Sequence, residues 1–347
     1  MVDKKKVILA ISCGDINGVG IEIIIKLFLN KDMFDFCVPI LYAPKTVVDD
    51  YKIMYPEFSC FDYHLIDSPE HAKKDTFNVI DFIGKSINLT PGVPTKDGAE
   101  IAIQSLDLAS QHLKTNAVNI LLTLPVNKQN ISTILKCFVG HTEYLSKNTN
   151  SQNSLMILCS QNLRIATLTN HLPMNKLADS ITKETLIQKL NILIESLKID
   201  FNISNPKVAV LGFNPHAGDS SLIGDEESSV ISPVVYEFIE AGHIISGPYS
   251  ADGFFGSGLY KKFDAILGMY HDQALIPFKL LSFGSGVNYT AGLPVIRVSP
   301  DHGVGYDIAG KNIAKENSVK SAVLLGVELY EKRKIYFDCN RKIQTTY

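Results

Sequence analysis

The sequence predicts an α/β protein, a mainly parallel sheet covered by helices on both faces. Short β-rich runs alternate with longer segments whose apolar residues fall at helical spacing. The β-rich runs end in polar residues or glycine. The 347 residues suffice to bury such a sheet, as two lobes or one large domain. KVILAIS (6–12) reads as the first strand, and GDINGVGIE (14–22) follows as a tight turn into the apolar run IEIIIKLFL. GAEIAIQSLDLASQHLKTN (98–116) is a helix ahead of the strand NILLTLPV (119–126). LRIATLTN (163–170) is the next strand, followed by the helix ITKETLIQKLNILIESLKID (181–200), which Thr182 caps ahead of Thr185 and Leu186. KVAVLGFN (207–214) and FDAILGMYH (263–271) repeat the strand pattern. SVKSAVLLGVELYEKRK (318–334) is the last amphipathic helix, with basic residues in its final turn to complement the helix dipole.

Bulk properties exclude several function classes. A net charge of −3, from 33 basic and 36 acidic residues, gives no general reason to bind nucleic acid or an anionic membrane, so small-molecule chemistry is expected. No apolar segment approaches the roughly 18 residues that span a bilayer. The N-terminal basic cluster and short apolar run resemble a signal peptide, but the run breaks at Gly14-Asp15, which favours a core strand. Six scattered cysteines (Cys13, Cys37, Cys60, Cys137, Cys159 and Cys339), with no CxxC pair, read as thiols in a reducing compartment rather than a thiolate zinc site. A cytoplasmic protein is expected.

The informative residues follow the strands. His171 follows LRIATLTN, His216 follows KVAVLGFN, and His271 ends FDAILGMYH. Ligands of α/β sheets bind outside the carboxyl ends of the strands, so three imidazoles distant in sequence can meet there. A three-histidine set leaves coordination positions open, as a catalytic divalent metal requires. The alternative for any one histidine is an ordinary hydrogen-bonded loop residue. Asp272 and Asp219 offer carboxylates to orient the imidazoles, although Asp219 could equally be a solvated acid.

Anion and cofactor sites have separate candidates. GDINGVGIE has the strand, turn and helix context of an anion-binding loop but lacks the GxGxxG spacing. DHGVGYDIAGKNIA (301–314) combines a histidine, glycines and Asp307 with a helix start at Gly310, and can either wrap an adenosine moiety or form a surface turn. GHTEYL (140–145) places His141 and Thr142 at a helix N-terminus, where Thr142 serves either an anion or its own helix as cap. Lys279, Asn288 and Arg297, within a Gly/Pro-rich stretch, supply donors for phosphate and carboxylate.

In order along the chain, GDINGVGIE, TLPVNK, GHTEYL, NHLP, GFNPHAGD, GPYSAD, MYHDQ, PFK and VNYTAGLPVIRVSPDHGVGYDIAGK resemble the 4-hydroxythreonine-4-phosphate dehydrogenase family of pyridoxal phosphate biosynthesis. The resemblance implies an isocitrate/isopropylmalate dehydrogenase-like fold: two α/β/α lobes with a cleft between them. The first lobe would comprise 1–130 plus 290–347, with the cofactor loop. The second, 131–289, would carry the metal site and dimer interface. It implies that His171, His216 and His271 bind one divalent metal ion (zinc, magnesium or cobalt), and that His141, Thr142, Lys279, Asn288 and Arg297 contact the phosphorylated substrate. Gly292, Asp301, His302 and Asp307 would serve NAD or NADP, and Asp252, Asp272 and Lys279 are candidates for proton handling.

It further implies a homodimer with its active site at the subunit interface, one metal histidine coming from the neighbour. The implied reaction is oxidation of 4-phosphooxy-L-threonine to 2-amino-3-oxo-4-phosphooxybutanoate, which decarboxylates to 3-amino-2-oxopropyl phosphate. The sequence departs from relatives at Ile16 and Ile21, where they often have prolines, which leaves the rigidity of the first loop open. A sister dehydrogenase acting on a phosphothreonate or a dihydrodiol carboxylate, and a non-catalytic metal- or nucleotide-binding protein, are the alternatives.

Overall fold

The computed structural model describes residues 6–344 except 137, 139, 150, 152 and 283, so Cys137 lies outside the described residues. The strands are β1 (Val7–Ser12), β2 (Cys37–Tyr42), β3 (Tyr63–Ile66), β4 (Phe77–Ile80), β5 (Ile120–Thr123), β6 (Leu155–Ser160), β7 (Leu163–Thr167), β8 (Lys207–Leu211), β9 (Ile244–Tyr249), β10 (Ala265–Gly268), β11 (Val287–Ala291) and β12 (Ile296–Pro300). The α-helices are α1 (Gly20–Leu29), α2 (Lys45–Met54), α3 (Lys96–Lys114), α4 (Lys128–Ser132), α5 (His141–Asn148), α6 (Leu177–Ser180), α7 (Lys183–Ile199), α8 (Ser232–Glu240), α9 (Ala251–Gly256), α10 (His271–Ser282) and α11 (Asn317–Gln344).

The chain divides into two compact units, one of residues 1–152 and 293–330, the other of 153–292 and 331–347. The boundaries differ from those expected from sequence at three places, one being that residues 290–292 go with the second unit. Residues 131–152 go with the first unit because Ile131, Phe138 and Leu145 are buried in its core beside α3. The chain from Glu331 goes with the second, where the Arg333 Nε donates to Asp200 at 2.6 Å and its Nη2 donates to the Tyr289 hydroxyl at 3.0 Å.

In the first unit the strands lie in the order β3-β4-β2-β1-β5-β12, every pairing parallel. Side chains alternate across a strand, so the two faces of this sheet bury different residues. Ala10, Ile40, Tyr42 and Leu121 pack with Ala99, Ala102, Leu106 and Leu113 of α3. Leu9, Ile11 and Ile120 are fully buried on the other face. There α11 approaches so closely that a Cβ on Gly326 would lie 3.1 Å from Ile120 and 3.2 Å from Val298. Burial on both faces explains why these strands read as continuous apolar runs.

In the second unit the order is β11-β6-β7-β10-β8-β9. The β11–β6 and β6–β7 pairings are antiparallel, whereas β7–β10, β10–β8 and β8–β9 are parallel. Ile165, Ala209, Leu211 and Ile266 pack against Phe254 of α9 and Ala274, Leu275 and Phe278 of α10. Leu186, Leu190, Leu193 and Leu197 are the buried stripe of α7, which packs against β6, β10 and β11. Thr182 and Thr185 cap α7 reciprocally, as the sequence predicts.

Three local expectations change. No helix begins at Gly310; that glycine has φ +78°, Asn312 has φ 55°, and α11 starts only at Asn317. The same helix runs on to Gln344, so Lys332 and Lys334 lie in its interior rather than its last turn. His271 does not end a strand, because β10 stops at Gly268 and His271 opens α10, which extends through Pro277 to Ser282.

Candidate active site

In the second unit, hydrogen bonds beyond the sheet tie the three strand ends that lead to histidines. The Leu168 amide donates to the Gly268 carbonyl at 2.8 Å, and the Thr169 hydroxyl to the Met269 carbonyl at 2.8 Å. The Met269 amide donates to the Gln273 Oε1 at 2.7 Å, while the Gln273 Nε2 donates to the Gly212 carbonyl at 2.6 Å. Gln273 thereby links the end of β10 to the end of β8, and Thr169 links β7 to β10.

This lattice brings His171 beside His271, with ring centroids 5.8 Å apart and planes inclined by 41°. Two imidazoles sharing one tetrahedral ion, with Zn–N of about 2.0–2.1 Å, have ring centres roughly 5 Å apart, so this pair fits a shared divalent ion. Asp272 Oδ1 lies 2.7 Å from His271 Nδ1, where it can fix the tautomer that leaves Nε2 for a ligand. His216 lies near Asp252, and the Ser250 hydroxyl, the Gly253 amide and His216 together hold the Asp252 carboxyl below its usual range. Among the described residues of one chain, no three His, Cys, Asp or Glu form a group that could hold a metal ion. The two imidazoles stand as a pair, and a metal ion there would take a further donor. The buried Cys13 and Cys37 do not compete for that role, since burial pushes both thiols up to about 12.

His216 occupies an unusual backbone. His216, Ala217, Asp219, Ser220 and Ser221 have φ of 53°, 51°, 40°, 56° and 70°, with Gly218 at 80° among them. A left-handed conformation costs about 1–2 kcal/mol per non-glycine residue, so the surroundings must impose it.

The first unit brings the charges of Arg297 and Lys128 to bear on His141. Arg297 on β12 is buried, and its Nε and Nη2 donate to the Thr123 hydroxyl at 3.1 and 2.6 Å. Burial lowers Arg297 to about 10, which still leaves it charged at neutral pH. Desolvation, with the positive charges of Arg297 and Lys128 behind it, holds the His141 imidazole well below the usual range and therefore neutral. Helix α5 begins at His141 after the extended Gly140, and no side chain caps it, so Thr142 is not its cap. Two cations, a neutral imidazole and uncapped helix amides suit a phosphate.

The Gly/Pro-rich stretch is distributed by secondary structure: Lys279 is exposed on α10, Asn288 lies on β11 and Arg297 on β12. The Asn288 Oδ1 is buried and accepts no hydrogen bond among the described residues. Lys128, which opens α4, and Thr123, at the end of β5, were not singled out from sequence. The motif TLPVNK contains both, and its place after a strand is the signal that could have found them.

The GDINGVGIE loop uses its polar groups internally rather than on an anion. The Asp15 amide donates to the Pro125 carbonyl at 2.9 Å, Asn17 to Asp15 Oδ1 at 3.0 Å and Val19 to the Val304 carbonyl at 3.0 Å. Ile16 and Ile21 are fully buried, which anchors the loop without prolines. The Tyr306 hydroxyl donates to Asp15 Oδ2 at 2.6 Å, and Lys26 donates to the Asn312 and Ala314 carbonyls, both at 2.9 Å. Residues 14–26 are thus the seat of the 301–314 loop. Within that loop, His302 Nδ1 donates to the Gly303 carbonyl at 2.9 Å, the Asp301 amide to the Ser318 hydroxyl at 3.0 Å, and Asp307 is exposed. Gly292 belongs to the second unit and has its own backbone reason: φ is 81°, and a Cβ would lie 2.8 Å from the Asn153 carbonyl oxygen.

Comparison with known proteins places nearly the whole chain among named relatives. Residues 35–326 match the family described as pyridoxal phosphate biosynthetic protein PdxA. A 4-hydroxythreonine-4-phosphate dehydrogenase of Bacteroides thetaiotaomicron is 40% identical over 334 residues, 96% of this chain and 91% of that protein. One from Sulfurihydrogenibium sp. is 38% identical over 94% of this chain and 99% of its own length. The crystal structure of the enzyme of that name from Klebsiella pneumoniae superposes with a TM-score of 0.81 at 29% identity, covering 94% of this chain and all of that one (100%).

Proposed function

The chain belongs to the PdxA family of pyridoxal phosphate biosynthetic proteins, and from that membership we propose that it is a 4-hydroxythreonine-4-phosphate dehydrogenase. It oxidises the secondary alcohol of 4-phosphooxy-L-threonine with NAD or NADP, and the resulting β-keto acid loses carbon dioxide. The observation that carries the reading is the anion site of Arg297, Lys128, the neutral His141 and the uncapped start of α5. A phosphorylated substrate is what such a site selects.

Arg297 and Thr142 hold the phosphate, and the neutral His141 donates a hydrogen bond to it without adding charge. Lys279 adds a third cation to the substrate's anionic groups. The orphan Asn288 amide oxygen, an acceptor, suits the substrate ammonium better than its phosphate or carboxylate. His171, His216 and His271 are the ligands for a divalent metal, with His171 and His271 already side by side. When bound, such an ion lowers the pKa of the substrate hydroxyl and the nicotinamide ring accepts the hydride. Asp272 keeps His271 in the ligating tautomer and the ionised Asp252 lies near His216, which leaves Lys279 as the candidate for moving the substrate's proton. The 301–314 loop, with Asp301, His302 and Asp307, receives the cofactor on its seat of residues 14–26.

A homodimer with shared active sites is supported by exposed apolar side chains on each histidine-bearing segment: Leu172 and Met174, Leu222 and Ile223, and Ile276 and Leu280. Among the described residues no helix is long and apolar enough to cross a membrane, and the scattered thiols agree with a cytoplasmic setting. The test is reduction of NAD and of NADP with 4-phosphooxy-L-threonine, with and without added zinc, magnesium or cobalt. Turnover with the phosphorylated substrate and none with 4-hydroxythreonine is expected; equal turnover of both would overturn the anion-site reading.

A further inference from the structure

We infer that Glu227 is the positioning residue that fixes the left-handed turn carrying His216. The inference deepens the metal-site reading above and rests on it. Glu227 is buried, and its carboxylate sits inside the loop that joins β8 to α8. Its Oε1 accepts from the Phe213 and Asn214 amides, both at 2.7 Å, and its Oε2 accepts from the Asn214 side-chain amide at 2.9 Å. The same Asn214 Nδ2 donates to Glu226 Oε2 at 2.6 Å.

Three glycines mark how tightly the loop is wrapped around these groups. A Cβ on Gly212 would lie 3.0 Å from Glu227 Oε1, one on Gly218 would lie 2.8 Å from Glu227 Oε2, and one on Gly224 would lie 2.5 Å from Asn214 Nδ2. Phe213 and Asn214 lead directly into Pro215 and His216, so the two residues ahead of the turn are held by one carboxylate. Beyond it, the Ala217 amide donates to the Asn214 carbonyl at 3.1 Å and the Asp219 amide to the His216 carbonyl at 3.3 Å. Gln273 reaches the same place from the His271 side, through the Gly212 carbonyl. Among the described residues this buried carboxylate meets only amide donors, an expensive way to fill space that an apolar side chain would serve better. What a carboxylate supplies, and an apolar group cannot, is acceptors for two successive backbone amides and the Asn214 side chain at once. Groups that orient a metal ligand typically change metal affinity or activity 10–100-fold when removed, on the order expected here.

The test compares Glu227→Gln with the wild-type protein in two readouts, backbone amide exchange and Co2+ affinity of the metal-free enzyme by calorimetry. Gln keeps one acceptor for the two amides but turns a donor toward Asn214 Nδ2. The variant is expected to unfold cooperatively, to exchange the amides of residues 213, 214, 217 and 219 at least roughly tenfold faster, and to bind Co2+ about 10–100-fold more weakly. Asn214→Ala removes only the side-chain bonds and should give a smaller loss of affinity; if Glu227→Gln does not fold, that graded loss with an unchanged unfolding temperature carries the test. Unchanged exchange at these amides, or faster exchange with wild-type Co2+ affinity, would overturn the inference, as would an Asn214→Ala protein with wild-type affinity. If His216→Ala binds Co2+ as the wild type does, the metal reading fails. The clamp is then judged on exchange at residues 217 and 219, where loosening supports it and its absence sinks it.

Discussion

Arg297 and His141 show how one buried neighbourhood sets opposite charge states. Burial leaves the guanidinium charged, while the same desolvation, with Arg297 and Lys128 close by, keeps the imidazole neutral. Truncating Arg297→Ala should raise the KM for 4-phosphooxy-L-threonine by about 10–100-fold, since hydrogen bonds to charged groups contribute roughly 1.5–3 kcal/mol. NAD affinity should stay within error; a cofactor-specific loss would mean that Arg297 serves the wrong ligand. His141 gives a pH prediction whose sign follows from its depressed pKa. Below the ordinary value of 6.5 the unfolded chain takes up a proton that the folded His141 resists, so stability contributed above 6.5 is lost as pH falls through that value. Denaturant unfolding between pH 7.5 and 5.5 should show a steeper loss for the wild type than for His141→Gln; parallel slopes would remove His141 from the account. His171, His216 and His271 stand out in the sequence because each follows an apolar strand. The meeting of His141 with Arg297 comes from the family resemblance alone, because no spacing rule connects residues on different elements of a fold not yet known.

At the scale of elements, the alternating strands and helices were readable wherever burial on both faces produced continuous apolar runs, as in β1, β5, β8 and β10. The helix expected at Gly310 failed because local composition cannot show that Gly310 and Asn312 take left-handed φ, which ends any helical repeat there. The GDINGVGIE turn has the strand, turn and helix outline of an anion loop, yet its amides face Pro125, Asp15 and Val304. Its function is to seat the 301–314 loop, and Gly18 is the point of closest approach. A Cβ there would lie 2.4 Å from the Val304 side chain and 2.7 Å from its carbonyl oxygen. Gly18→Ala should therefore displace the 301–314 loop, weakening NAD binding by about tenfold or more and costing about 1–3 kcal/mol of stability through overpacking. Co2+ affinity, measured on the second unit's histidines, should not change. If NAD binding is untouched while stability falls, the first loop supports the core but not the cofactor site.

For the whole molecule, the decisive observation is that the described residues of one chain gather two imidazoles and not three. His171 and His271 lie side by side, whereas no three candidate ligands group together among the described residues. Each histidine-bearing segment also exposes apolar side chains, Met174, Leu222 and Leu280 most of all, which a second chain would cover. If two chains related by a two-fold axis share each metal site, inactive His216→Ala and inactive His271→Ala proteins should complement each other. In a mixed dimer one site would carry both lesions and the other neither. With random re-pairing at equal amounts about half of the dimers are mixed, so specific activity should return to about a quarter of wild type. A mixture of His171→Ala with His271→Ala then reports how the adjacent pair is used. Silence means that these two imidazoles act in one site and His216 crosses from the other chain, whereas recovery means that His271 crosses. If neither mixture recovers despite proven subunit exchange, the ligands come from a single chain. The two-imidazole arrangement would then have to close by movement within it.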